Sequence, residues 1–214
     1  MRLAVAIDGP AGAGKSTIAK ILGKKFNLMY INTGAMYRAV TLVAMKNNIL
    51  PSDIDSLCKM IKDMEMHFEN DDLILNGENV NSRLTLPDVS NNVSSYASVK
   101  EVRKLLVENQ REIAKKFDSI MDGRDIGTVV LKDAKYKFFL TATPEERAQR
   151  RYKEFKEKNL DVKYDDILND IIKRDYLDTH REVDPLRKAD DAIEIDTTGL
   201  DIDGVVNAIS SYIK

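Results

Sequence analysis

Gly9-Pro10-Ala11-Gly12-Ala13-Gly14-Lys15-Ser16 constrains this chain more than any other stretch of it. The octapeptide matches G-x-x-x-x-G-K-[ST] in full, and a short apolar run, Leu3–Ile7, precedes it and stops at Asp8. A continuous apolar run of that length suits a strand covered on both faces, as in a parallel sheet. Residues 15–25 then carry helical spacing, with Ile18, Ile21, Leu22 and Phe26 on one face. Strand, glycine loop and helix form a phosphate cradle: small residues let backbone N–H groups turn inward, and the helix N-terminus adds donors and a positive dipole end. Gly9 to Ser16 and Thr17 would hold the triphosphate of ATP, with Lys15 reaching the β- and γ-phosphates and the Ser16 hydroxyl placed for Mg²⁺. A dinucleotide fingerprint read from Gly12 fails, because Thr17 stands where its third glycine belongs.

The rest of the pattern alternates strands and helices. Leu28–Ile31 predicts a strand, and Thr33 caps a predicted helix through Lys46. Pro51-Ser52-Asp53 breaks the chain and caps a helix over about 53–63. Met66–Val80 changes texture and predicts a small β-meander, with Asn70-Asp71-Asp72 and Asn76-Gly77-Glu78 as turns. Helices are expected over Asp88–Ala97 and Val99–Lys116, and strands at Asp118–Met121 and Tyr136–Thr141. Pro144 opens a basic helix running to Lys158; a further helix spans Asp165–Arg181, a strand Ala192–Ile195, and an amphipathic helix Asp201–Ile213. The expected fold is α/β: a P-loop NTPase-type, doubly wound parallel sheet of five strands with an inserted lobe carrying a small antiparallel sheet. Ligands on such sheets bind beyond the carboxyl ends of the strands.

Composition excludes several classes. The 214 residues give 33 Lys+Arg against 35 Asp+Glu, a net charge of −2, so no global basic character points to a nucleic-acid partner. One cysteine, Cys58, permits no internal disulfide, and His67 and His180 offer no zinc spacing. The first residues read as too short an apolar run for a secretory leader, and no stretch is long enough to span a membrane; a cytoplasmic protein is the expectation.

Three more clusters carry chemistry. Asn32-Thr33-Gly34-Ala35-Met36-Tyr37-Arg38 ends the second strand. Asp122-Gly123-Arg124-Asp125-Ile126-Gly127-Thr128 places an acid at a strand end, where a Mg²⁺ or water ligand is expected, and an arginine suited to gripping phosphate. Arg147, Arg150, Arg151, Arg174 and Arg181 lie on two helices flanking the polar segment Lys156–Lys163, and Asp178, four residues after Arg174, is placed to pair with it. Transfer between two anions requires several guanidiniums, because charge repulsion is its main obstacle.

With these residues in view, the chain resembles the bacterial cytidylate kinases, within the nucleoside monophosphate kinases. The resemblance spans nearly the whole length and rests on IDGPAGAGKST at Ile7–Thr17, NTGAMYR at Asn32–Arg38, DGRDIGTVV at Asp122–Val130, EERAQRR at Glu145–Arg151 and RDYLDTHREVDPL at Arg174–Leu186. It implies one kinase domain over residues 1–214, with a nucleotide-binding lobe at about 60–118 and a lid at about 152–163. It also implies ATP and Mg²⁺ as cofactors, CMP or dCMP as acceptor, no membrane or nucleic-acid partner, and a monomer. By the same resemblance Lys15, Arg124, Arg151 and Arg181 look catalytic. Thr33, Tyr37, Arg38, Arg124 and Arg181 look like acceptor-site residues. Ser94 (or its neighbour Ser95), Arg103 and Asp125 fall where the family reads the cytosine ring, and Arg174 and Asp178 where it holds the ribose. Ser16 and Asp122 are the metal candidates. The family often has Ser where Thr33 stands and Gly where Ser16 stands. A phosphorylated acceptor is already dianionic near neutral pH and needs no general base, in keeping with the absence of a candidate histidine. A small-metabolite kinase, with Asp122 or Asp125 orienting an alcohol, and a non-catalytic nucleotide sensor are the rival readings; the arginine excess favours neither.

Overall fold

The computed structural model describes residues 2–157 and 159–214; Met1 and Lys158, the expected end of the basic helix, lie outside the described residues. Five strands, β1 (Ala4–Asp8), β2 (Met29–Asn32), β6 (Ser119–Gly123), β7 (Tyr136–Thr141) and β8 (Ile193–Asp196), form a parallel sheet in the order β2-β6-β1-β7-β8. The chain reverses its direction of winding at β1, so the loop after β1 opens at the switch point where ligands of such sheets bind. Around the sheet lie α1 (Lys15–Phe26), α2 (Thr33–Lys46), α3 (Ile54–Lys62), α4 (Asn81–Leu84), α5 (Pro87–Ala97), α6 (Lys100–Lys116), α7 (Pro144–Glu157), α8 (Tyr164–His180) and α9 (Ile202–Ser210).

Both faces of the sheet are covered. Val5, Ile7, Tyr30, Ile120, Phe138 and Leu140 pack with Leu22 of α1 and with Val205 and Ile209 of α9. The alternate residues Ala6, Ile31 and Met121 pack the other way, against Met36 and Val40 of α2 and Leu106 of α6. Period-two alternation with apolar residues on both sides is why these strands read as continuous apolar runs. A separate antiparallel sheet, β3 (Met66–Glu69), β4 (Asp72–Leu75) and β5 (Glu78–Asn79), sits on the second face. Its Phe68, Leu73 and Leu75 belong to the same apolar cluster as Ala6 and Met121, so it shares a core with the main sheet. Both of its turns carry positive φ at two successive residues: Asn70 (49°) and Asp71 (70°), then Asn76 (50°) and Gly77 (82°). That backbone is the hairpin geometry for which Asn, Asp and Gly are favoured.

Several local expectations need correction. Asn32, rather than Thr33, caps α2: its side chain accepts from Ala35 N, while the Thr33 hydroxyl donates to the Asp122 carbonyl at 2.7 Å. Ile21 is exposed, because α1 turns Ile18, Ala19 and Leu22 inward. The segment after β6 is a π-helical turn, Ile126–Val130, which the sequence pattern did not suggest. Such wide turns concentrate at functional sites. Asp8, at the end of β1, holds that turn down: its two carboxylate oxygens accept from Ile126 N at 2.8 Å and Gly127 N at 2.7 Å. Burial raises the Asp8 carboxyl to about 6, against the opposing pull of those two amide bonds. Among the described residues, no helix is long and apolar enough to cross a membrane.

Gly9 has φ 147°, and a Cβ there would lie 2.0 Å from the Leu140 carbonyl oxygen of β7. Gly9→Ala is expected to cost about 3 kcal/mol or more in urea unfolding, whereas Gly77→Ala, facing open space, should cost only about 1–2 kcal/mol of left-handed strain. The Asp8 carboxyl titrates higher in the fold than its ordinary value of 3.8, so ionisation opposes folding and its penalty grows as pH rises from about 4 through about 6. Thermal melts over that range should show a fall in stability that Asp8→Asn flattens.

Candidate active site

The site assembles where β1, β2 and β6 end. Residues 9–14 bend through left-handed glycines, Gly12 at φ 77° and Gly14 at φ 81°. No side chain caps α1, which leaves the first-turn N–H groups of the helix for an anion. A Cβ on Gly14 would meet nothing within 4 Å, so the space over the loop is open. Lys15 is buried under the loop and donates to the Pro10 carbonyl at 2.6 Å. Burial, then the positive charge of Arg124, hold its ammonium well below the ordinary lysine range, with Asp122 and Asp8 pulling the other way. A bound phosphate would restore the charge that burial opposes.

Asp122, at the end of β6, is the hub opposite the loop. Its Oδ2 accepts from the Ser16 hydroxyl at 2.7 Å and its Oδ1 from the Tyr30 hydroxyl at 2.9 Å. Thr33 reaches its carbonyl, and Gly123 leaves room for this: a Cβ there would lie 2.7 Å from Thr33 Oγ1 and 2.6 Å from Ile126 Cδ1. Ser16 and Asp122 thus offer two hard oxygen donors side by side. Among the described residues no cluster of three or more His, Cys, Asp or Glu could hold a metal alone. That donor set fits Mg²⁺, which takes few protein ligands and completes its shell with phosphate oxygens and water.

Beyond Asp122 the guanidiniums gather. Arg124 donates to Asp178 Oδ2 at 2.7 Å, joining the end of β6 to α8. Asp178 therefore pairs with Arg124, rather than with Arg174 as the helical spacing suggests. Burial raises the Asp178 carboxyl, but Arg124, Arg174 and Arg181 outweigh it and hold the group below its ordinary range. The Nε atoms of Arg38 and Arg174 are buried and have no hydrogen-bond partner among the described residues. Burial and the neighbouring Arg124 lower the proton affinity of both, Arg174 to about 10. Arg151 is half exposed, pairs with Glu154 at 3.4 Å and lies over the Phe155 ring at 4.5 Å.

A second polar group lies deeper. Arg103 of α6 is almost wholly buried and donates to Asp125 at 2.5 Å, to Asp184 at 3.0 Å and to the Ala97 carbonyl of α5 at 3.2 Å. Its guanidinium sits 5.4 Å from the Tyr37 ring. Arg181, just past α8, donates to Asp125 Oδ1 at 3.3 Å and to the Asp184 carbonyl at 2.6 Å. Ser94 lies half-buried on α5, and its neighbour Ser95 is exposed.

Arg147 and Arg150 are committed to the scaffold. Arg147 spans the Ala142 carbonyl, the Ala11 carbonyl of the phosphate loop and both Asp175 oxygens of α8. Arg150 binds Glu146 and the Thr197 hydroxyl and carbonyl. Sequence reasoning passed over Tyr30, Asp8 and Asp184. Asp8 stood at a visible strand end and Asp184 within a quoted segment, but neither has a spacing that marks its partner.

The cytidylate kinase family model matches residues 5–214. A cytidylate kinase of Clostridium perfringens strain SM101 is 70% identical over 212 residues, covering 99% of this chain and 98% of that one. A cytidylate kinase of Clostridium acetobutylicum is 64% identical over 214 residues, covering 100% and 99%. A solved gluconokinase from Sinorhizobium meliloti shares the fold at 11% identity, with a TM-score of 0.50 over 99% of this chain and 93% of that one. A family match of this extent, with such identity along the full length of two relatives, makes this chain a member of the cytidylate kinase family.

Proposed function

We propose that this chain transfers the γ-phosphate of ATP to CMP or dCMP, giving ADP and CDP or dCDP. The observation that carries the proposal is the excess of positive charge beside the phosphate loop, which Asp122 and Asp178 offset only in part. Lys15, Arg38, Arg124 and Arg174 act on one another there, and Arg38 Nε and Arg174 Nε are left without partners. Partly buried guanidiniums with an unpaired Nε are costly, and a dianionic phosphate supplies further negative charge and the missing acceptors. A sensor holding one nucleotide needs no second set of guanidiniums, and an alcohol acceptor has no charge to match them.

In this reading residues 9–17 hold the triphosphate through backbone N–H groups, and Lys15 neutralises the oxygens between donor and leaving group. Arg38 and Arg124 hold the acceptor phosphate in line; Arg174 stands beside them with its Nε unpaired and, on family resemblance, faces the ribose with Asp178. Arg151 is brought against the transferring group, while Arg181, which the resemblance makes catalytic, is held at Asp125 and the Asp184 carbonyl. Asp178 fixes Arg124 and faces the ribose. Arg103 and Asp125, with Ser94, face the cytosine, and Tyr37 backs Arg103. Ser16 and Asp122 would hold Mg²⁺, which would supply charge neutralisation to the triphosphate. The acceptor phosphate is dianionic near neutral pH, so no side chain has to remove a proton from it. The reading extends, on family resemblance, to a cytoplasmic monomer with a lobe at about 60–118 and a lid at about 152–163.

ADP release measured with ATP, Mg²⁺ and one acceptor at a time tests the reading. CMP and dCMP should turn over strongly, with UMP, AMP and GMP weaker; no acceptor-dependent release would overturn it. Lys15→Met should lower kcat by about 10²–10³-fold while CMP still binds. Arg174→Met should lower kcat/KM for CMP by a similar, roughly 10²-fold, factor. Its melting temperature in phosphate-free buffer should stay level or rise, because a partly buried charge with an unpaired Nε is removed from a cluster of like charges.

A further inference from the structure

Arg103, Asp125, Arg181 and Asp184 close into a ring. Arg103 bridges Asp184 Oδ2 (3.0 Å) and Asp125 Oδ2 (2.5 Å), Arg181 reaches Asp125 Oδ1 (3.3 Å), and Arg181 Nε returns to the Asp184 carbonyl (2.6 Å). Two guanidiniums meet two carboxylates, so the ring is neutral. Three members are residues already assigned to the site; Asp184 lies within the quoted segment Arg174–Leu186 but has no role assigned to it. It stands in the connection after α8 with φ 48°, a left-handed backbone that Asp, Asn and Gly tolerate best. The following loop is anchored, because Leu186 N donates to the Asp178 carbonyl at 2.8 Å and Leu186 is buried.

We propose that Asp184 is a specificity-determining positioning residue, which holds Arg103 and balances the charge around Asp125 so that Asp125 can accept from the amino group of cytosine. The inference rests on the proposed (d)CMP kinase reading. An ionised carboxylate offers about four lone-pair sites, and the ring occupies one on each Asp125 oxygen. The remaining sites attract a donor such as the exocyclic amine of cytosine and repel an acceptor such as the corresponding oxygen of uracil. Without the Asp184 carboxylate, two guanidiniums share one carboxylate, and the local charge becomes positive. That environment weakens the preference for an amine and relieves the repulsion of a carbonyl oxygen. Arg103 also loses the bond that fixes its Nε, and it swings more freely above Tyr37.

Steady-state kinetics with CMP and UMP on the full chain, its Asp184→Asn variant and its Asp184→Gly variant test the inference, with thermal unfolding alongside. Both replacements keep the left-handed backbone, and the pair guards against loss of fold in either one. The expected result is a rise of about tenfold in KM for CMP, a similar fall in the CMP-to-UMP ratio of kcat/KM and little change in kcat, with a lowered melting temperature but retained fold, because the buried Arg103 loses one of its two carboxylate partners. A lower kcat for both acceptors with an unchanged CMP-to-UMP ratio would assign Asp184 to the scaffold and overturn the inference, as would wild-type kinetics in both variants. Absence of CMP turnover in the unsubstituted chain would overturn the underlying activity itself, a result distinguishable from any effect of Asp184.

Discussion

Lys15, Arg124 and Arg174 crowd one another where the central strands end; burial, and after it the charge of Arg124, lower the tendency of Lys15 and of Arg174 to carry a proton. Water would solvate such a group far better than a protein interior does. The scaffold therefore has to hold these side chains against their mutual repulsion. It does so from several directions. Pro10 supplies a carbonyl to Lys15, Asp122 and Asp178 supply counter-charge, and the covered sheet keeps the strand ends from moving apart. What the fold leaves unbalanced is what an anionic ligand completes, so affinity and apo-state strain are two aspects of one arrangement.

Two acids that touch no proposed ligand hold this arrangement in register. Asp8 ties β1 to the turn carrying Arg124 and Asp125, so the phosphate loop and the acceptor side are spaced by a single side chain. Asp175 ties α8 to Arg147 and through it to the loop at Ala11. The loop, the turn after β6 and α8 are thereby coupled through short polar links, while apolar packing sets their coarser placement.

Much of this was legible in the residue pattern. The glycine loop, the five parallel strands and the meander carry local signals: buried apolar runs, left-handed turn residues and helix caps. The errors have physical causes. Thr33 was read as a cap because hydroxyls cap helices, but Asn32 is one residue better placed, and the hydroxyl is taken by a carbonyl from another strand. The i, i+4 spacing suggests Asp178 as the partner of Arg174, yet Arg124, 54 positions away, takes it. The ring through Asp184 and the clamp at Asp8 join segments 81 and 118 positions apart, and no local pattern reports such distances. Local chemistry named the guanidiniums; only the topology could assign their partners.

The way α7 and α8 are fastened has a mechanical consequence. They share a small apolar core of Ala148, Ile167 and Ile171, separate from the cores that flank the sheet. Their base is pinned at Arg147, which grips the loop, the end of β7 and α8 with one guanidinium. A rotation of the pair would therefore pivot beside the phosphate loop, where Arg147 is held at the Ala11 carbonyl. At 1.5 Å per residue, the end of α7 lies roughly 15 Å from that pivot and Arg151 only about 6 Å. A tilt of about 10° would carry the tip roughly 2.5 Å but Arg151 only about 1 Å. Any rotation of the pair about Arg147 would thus displace the far end of α7 more than twice as far as the guanidinium-bearing residue next to the pivot.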